Sequence, residues 1–184
     1  MKKTFVCLAN SKKYHQRCIA GVEIENFDGN SYSIIKADNQ PKWIRPVSSI
    51  GHGEVSEKVV GKVRLLDVVE IEVLKKRSQG YQSENILFDE ESLQIVGRLD
   101  WSPENVEVFQ NTDIRLLFGN RWSAIRVDAI DQVDYSLVLI KPIGVTFREV
   151  TKPNGSGQLR SSFRFNGVMY DLPITDIDFY VKYQ

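Results

Sequence analysis

The chain has 184 residues, with 24 lysines and arginines against 24 aspartates and glutamates, and an apolar share of 42%. A domain of this size buries roughly 70% of its unfolded surface, so its core needs neither disulfides nor a structural metal. Zero formal net charge excludes a global field that would draw in nucleic acid or a membrane, and any electrostatic site has to be local. The two cysteines, Cys7 and Cys18, and the two histidines, His15 and His52, form no CxxC pair and no metal-ligand spacing. No metal and no cofactor is therefore expected. Residues 4–9 are too short a run for a signal sequence, and nothing approaches the roughly 18 apolar residues that span a bilayer. A cytoplasmic protein without a membrane partner is the expectation.

Strand signals dominate in chain order. Residues 5–9 are an apolar run of strand formers that breaks into Asn10-Ser11-Lys12-Lys13, followed by Arg17 and Cys18. Val22 and Ile24 alternate with Glu23 and Glu25, a period of two that buries one face. Asp28-Gly29-Asn30 and Asp38-Asn39-Gln40-Pro41 are turn chemistry, with extended residues 32–35 between them and 43–47 after them. Residues 48–53 read as a loop. Residues 63–75 are the longest strand candidate, because the β-branched load of Val68, Val69, Ile71 and Val73 argues against a helix. A loop at 78–83 leads to a short strand at 85–88, closed by Asp89-Glu90-Glu91.

Residues 92–99 fit either helix or strand. Ser102-Pro103-Glu104 then marks a helix start, with a capping hydroxyl, proline at the first helical position and acids in the first turn. Residues 111–121 carry turn signals. Extended runs follow at 136–141, 145–151, 159–165 and 168–172. The last three are separated by Lys152-Pro153-Asn154-Gly155-Ser156-Gly157 and by Asn166-Gly167. Asn-Gly between alternating strands is a strong hairpin signal, since both central positions favour positive φ. The last three runs predict an antiparallel meander, with the run at 136–141 feeding in as a further strand through Pro142. The fold expected is mainly β: two tandem OB-like small barrels joined by a short helical bridge, divided into residues 1–91 and 92–184. A two-sheet sandwich is the alternative.

Three surfaces carry candidate chemistry. Asn10, Ser11, Lys12 and Arg17, with Trp43 and Arg45, combine cations for phosphates, an indole for stacking and short polar groups for base edges. They would form two edges of one pocket, with Glu84 and Asn85 adding polar groups. The plain alternative is a turn that satisfies its own backbone beside a core tryptophan. On the meander, alternation places Arg160, Ser162 and Arg164 on one face, a row able to track a phosphate backbone, or a solvated face paired with Glu149. The acids Glu54, Glu57, Glu84, Asp89, Asp171, Asp176 and Asp178 lack any acid–base or metal motif, and Gly51-His52-Gly53-Glu54 is the nearest to a catalytic string.

Longer stretches resemble a known family. Val6-Cys7-Leu8-Ala9-Asn10-Ser11-Lys12, Arg17-Cys18-Ile19-Ala20-Gly21 and Trp43-Ile44-Arg45-Pro46-Val47-Ser48 are similar to the prokaryotic family described as a dual OB-containing domain. Leu66-Asp67-Val68-Val69-Glu70-Ile71, Gln82-Ser83-Glu84-Asn85 and residues 165–176 agree in the same order. The resemblance implies two OB-like barrels in tandem and little about activity, because fold does not fix function. Two departures stand out: Tyr14-His15-Gln16 precedes Arg17 in place of a glycine-rich approach, and Tyr81 stands where a histidine is expected. The expected function is non-catalytic binding of nucleic acid or a nucleotide. The alternatives are a protein-interaction or accessory module, and an enzyme on nucleotides or modified nucleic acid using Glu54, Glu57 or Glu84.

Overall fold

The structure is a computed structural model that describes residues 1–13, 16–29, 31–50 and 53–183. Its first unit is built from β1 (Lys2–Lys13), β2 (Gln16–Glu25), β6 (Trp43–Val47), β7 (Asp67–Lys76) and β8 (Asn85–Arg98). Strand β1 pairs antiparallel with both β2 and β7; β2 pairs with β6, β6 runs parallel to β8, and β8 returns antiparallel to β7. The ring therefore closes, with no free edge among these five strands. The two-residue strands β3 (Ser33–Ile34), β4 (Lys36–Ala37) and β5 (Gln40–Pro41) decorate the β2–β6 connection. The last two form a hairpin turning at Asp38 and Asn39, both at positive φ. Helix α1 (Glu57–Val60) lies between β6 and β7 in the chain. Its N-cap is Ser56, whose hydroxyl accepts the Lys58 amide.

Alternation sorts the strands onto two apolar faces. Phe5, Cys7, Ile19, Ile44, Val69, Ile71, Ile86 and Phe88 draw on all five strands and pack with Val55, Val60 and Val63. They fill the barrel, with α1 and the residues beside it plugging one end. Val6, Val22, Ile24 and Val68 point outward, yet they are as buried as the lumen. They pack under Phe109, with Leu99, Val106 and Leu139 closing over them. This outer cover includes α2 (Pro103–Glu107), which starts as expected, the Ser102 hydroxyl accepting the Asn105 amide at 3.0 Å.

Two expectations change here. The strand expected at residues 85–88 runs on to Arg98, so the division drawn at residue 92 falls inside β8. Register shifts opposite β8 let Asp89-Glu90-Glu91 pass without ending the ladder. The run at 136–141 forms no strand. Its backbone is held instead by isolated bonds such as the Asn111 amide to the Leu139 carbonyl at 3.0 Å.

The second unit is a three-stranded meander of β9 (Ile143–Thr151), β10 (Gly157–Phe165) and β11 (Val168–Pro173), followed by α3 (Ile177–Tyr183). Asn166 and Gly167 turn the last hairpin at φ 47° and 80°. Asp176 caps α3 by accepting the Phe179 amide at 2.8 Å. Leu117, Phe163 and Tyr170 form its small core. Among the described residues one barrel closes, and the second unit is an open sheet. The β1–β2 tip, the Asn30 turn position and the Gly51-His52 step lie outside the described residues.

Gly21 sits where β2 must approach β1. A Cβ there would lie against the Val6 carbonyl and the Phe5 ring, inside a ladder pinned by Cys7 and Ile44. Gly21→Ala is expected to lower unfolding stability by on the order of 3 kcal/mol, measured as a fall in denaturant midpoint.

Candidate ligand-binding site

The two clusters singled out in the first unit are each closed by a carboxylate. Arg17 is buried on β2; its guanidinium donates to Glu57 at 2.9 Å and to the Asn10 side chain at 3.4 Å. Asn10, 4% exposed, spends its amide on the Val63 carbonyl at 2.8 Å. The Arg17 hydrogen bond and charge hold the Glu57 carboxyl below its ordinary value. Ser11 bridges to Asp176, and the Lys12 amide donates to the Thr175 carbonyl at 3.2 Å, so this strand end docks the second unit. Of Asn10, Ser11, Lys12 and Arg17, Lys12 is the exposed one.

Trp43 and Arg45 do not share a pocket wall with that group. Trp43 packs in the outer cover, and its indole N–H donates to the Asn111 side chain at 3.2 Å. Arg45 donates to Glu84 at 2.5 Å and to the Ser136 hydroxyl, which donates in turn to the same carboxylate. Asn85 is buried with its amide on Gln82 at 3.0 Å. On the meander, Arg160 and Arg148 both converge on Asp171, each at 2.8 Å. Burial pushes the Asp171 carboxyl up, but the Arg160 and Ser162 hydrogen bonds and the two guanidinium charges outweigh it and leave it below its ordinary value. Arg164 is exposed and makes no ion pair among the described residues.

The acids expected of an enzyme are divided in the same way. Glu57 is exposed and bound to Arg17, and Glu84 is buried and bound to Arg45, so among the described residues the two acids are held in separate ion pairs. Among the described residues no group of His, Cys, Asp and Glu is placed to hold a metal ion. Burial pushes the Cys7 thiol up to about 12, which leaves it an unreactive core side chain. His15 and His52 lie outside the described residues.

A different site lies between the units. A pocket of about 360 Å³ is lined by Tyr81, Phe118, Trp122, Tyr135 and Tyr170, with Leu117 and Leu172 in its floor. That volume suits one small ligand. Tyr81 comes from the β7–β8 loop of the barrel, one of the loops with which OB folds hold ligands. The floor is rigid because Tyr170 is 2% exposed, donates to the Asn120 carbonyl at 2.7 Å and accepts the Leu117 amide at 3.2 Å. Phe118 adopts the left-handed conformation at φ 51°. Such a conformation costs a non-glycine residue about 1–3 kcal/mol. Its amide donates to the Tyr135 hydroxyl at 3.2 Å, and the two rings pack 5.2 Å apart. Burial pushes the Tyr135 phenol above its ordinary value, so it is a neutral donor at physiological pH. Trp122, 78% exposed, forms the lip.

Among the described residues no charged side chain lines this pocket. Arg115 and Arg121, from the same segment as Leu117, Phe118 and Trp122, line a shallow groove with Asn166 and Gly167. Asn166 fixes that groove by donating to the Ile114 carbonyl at 2.8 Å. Neither arginine makes an ion pair among the described residues. The signal for this site was present as Phe118-Gly119-Asn120-Arg121-Trp122, two aromatics and a cation on a glycine turn. Nothing in the residue order says that Tyr81 and Tyr135 meet it.

A closed five-stranded barrel with these connections, carrying a pocket at its β7–β8 loop, defines an OB-type module. A family model described as a dual OB-containing domain matches residues 3–184, and the chain belongs to that family. No curated protein and no solved structure matches the chain. No helix among the described residues is long and apolar enough to cross a membrane.

Two measurements test these assignments. The Arg45 and Glu84 side chains are 15% and 5% exposed. Arg45→Ala should therefore cost about 3 kcal/mol by stranding a buried carboxylate, whereas Arg45→Met with Glu84→Met should cost much less. For Asp171, the folded carboxyl titrates below its unfolded counterpart. Its stabilisation is complete above the ordinary value of 3.8 and is lost as the pH falls through the lowered folded value. Asp171→Asn should flatten the acid limb of the melting temperature against pH.

Proposed function

We propose that this OB-type module binds single-stranded nucleic acid or a nucleotide without transforming it. One observation carries the reading: a neutral, aromatic-lined pocket and a groove holding two arginines without an ion pair among the described residues are lined by residues of one segment, Arg115 to Trp122. Planar rings stack on aromatic faces at about 1–3 kcal/mol per base, and guanidinium groups take phosphates bidentately. The phosphate contacts belong to Arg115 and Arg121, with Arg164 exposed on the adjoining hairpin. Arg17 and Arg45 are excluded from that role because each already neutralises a carboxylate.

Fluorescence anisotropy of a labelled short single strand, repeated across salt concentrations, tests the reading. Affinity should fall with rising salt, and Trp122→Ala should weaken binding by about tenfold or more. Arg115→Ala with Arg121→Ala should reduce the salt slope by about two units. Binding that ignores salt, or that survives all three substitutions, would sink the proposal.

A second reading, a protein-docking module, rests on β9. That strand pairs only with β10 among the described residues and exposes Ile143 and Val145. Exposed sheet edges accept added strands. Partners retained from host extract after nuclease treatment, and lost with a Val145→Pro variant, would favour it.

A further inference from the structure

We infer that Asn120 is a positioning residue, whose side chain holds the loop carrying Trp122 in one conformation and so presents the indole at the pocket lip before a ligand arrives. This rests on the binding reading above and names the residue on which its stacking contact depends.

An indole is ordinarily well buried, yet Trp122 is 78% exposed, and Arg121, Ser123 and Ala124 around it are exposed as well. Its indole N–H makes no hydrogen bond among the described residues. Residues 121–124 belong to no helix or strand. A loop with so little burial and no ladder of its own is ordinarily mobile.

This loop is instead pinned on both sides of the tryptophan. Asn120 Oδ1 accepts the Trp122 amide at 3.0 Å, and Asn120 Nδ2 donates to the Ala124 carbonyl, so one side chain spans the loop. The Asn120 backbone is itself fixed. Its amide donates to the Leu117 carbonyl at 2.9 Å, and its carbonyl accepts the hydroxyl of the buried Tyr170 at 2.7 Å. Beyond the tryptophan, the Ser123 hydroxyl accepts the Asp171 amide of β11 at 2.8 Å. Asparagine suits this position chemically. An aspartate would keep the acceptor, lose the donor to Ala124 and set a negative charge next in the chain to Arg121, whereas asparagine makes both bonds without charge. Ordering a side chain on binding costs affinity, and a loop ordered beforehand avoids that cost.

The test pairs a measurement without ligand and one with it. Amide hydrogen exchange should find Trp122 protected in the unsubstituted protein although its side chain stands in solvent, and Asn120→Ala should lower that protection about tenfold. Labelled oligothymidine should bind Asn120→Ala about fivefold more weakly, a smaller loss than Trp122→Ala causes. In a Trp122→Ala background the same substitution should change affinity by less than about twofold, because the indole through which Asn120 acts is gone. Asn120→Ser keeps a neutral acceptor for the amide two residues on, and should recover part of both losses. A merely structural role would give the same loss in both backgrounds. Unchanged exchange at Trp122, unchanged strand affinity in Asn120→Ala, or equal losses with and without the indole overturns the inference. If the unsubstituted protein binds no strand, the proposed function falls with it, and the exchange measurement alone decides the positioning role.

Discussion

The structure depends on strands that are buried on both sides. β1, β2 and β7 present Phe5, Cys7, Ile19, Val69 and Ile71 to the lumen and Val6, Val22, Ile24 and Val68 to the outside, and both sets are essentially free of solvent. An isolated OB barrel with that outer face would expose a contiguous apolar patch, the kind that drives association. The chain covers it with its own residues 99–139. Burying one such side chain is worth about 1.5–3 kcal/mol, so the cover is as necessary to the barrel as its lumen. Because the cover crosses β6 at Trp43, the β2–β6 surface on which many OB folds lay their ligands is partly occupied by the protein itself. What remains open there is a cavity of about 720 Å³ along Lys42, Trp43 and Glu84, and the aromatic-lined pocket lies at the seam, where the β7–β8 loop meets residues 117–136.

Charge placement follows the same geometry. Strands that face inward twice leave their polar residues at the ends, and a cation there becomes partly buried once the second unit docks. Desolvating an unpaired guanidinium costs several kcal/mol, so each such cation acquires a carboxylate: Arg17 with Glu57, Arg45 with Glu84, Lys3 and Lys42 with Glu23, Arg160 with Asp171. Pairing makes Arg17 with Glu57, and Arg45 with Glu84, fasteners between segments about 40 positions apart. The arginines at 115, 121 and 164 lie on turns and on the outer face of a hairpin, where water already solvates them. A ligand phosphate can then compete with water rather than with a buried carboxylate.

These facts explain what was readable in the residues. Local signals carried through: the Ser102-Pro103 helix start, the Asn166-Gly167 hairpin and the alternation in β10 depend on neighbours a few positions apart. The first barrel was legible as OB-like because its strands and turns follow one another closely. Residues 92–98 were ambiguous because their alternation, partly buried Leu93 and exposed Gln94, is weak until β7 supplies the ladder. Trp43 and Arg45 suggested a binding surface because stacking and phosphate binding use the same residue types as a packed indole and a buried ion pair. Only Asn111 and Ser136, 68 and 91 positions away, decide between those roles. The pocket was hidden for the same reason, since Tyr81, Phe118 and Tyr135 are brought together by docking and not by spacing.

Separating ring from charge also reconciles the site with a chain of zero net charge. A protein that relied on phosphate attraction for most of its affinity would need six or more free cations along one face, and its binding would collapse as salt rises. Here two arginines line the groove and a third lies near it, while the pocket is neutral and has a rigid floor. On the proposed reading, stacking on the aromatic rings would supply the affinity that two or three cations cannot, a term that salt hardly screens. The left-handed turn at Phe118 sets its ring against Tyr135 and its amide on the Tyr135 oxygen, so one wall of the pocket is fixed by backbone conformation rather than by charge.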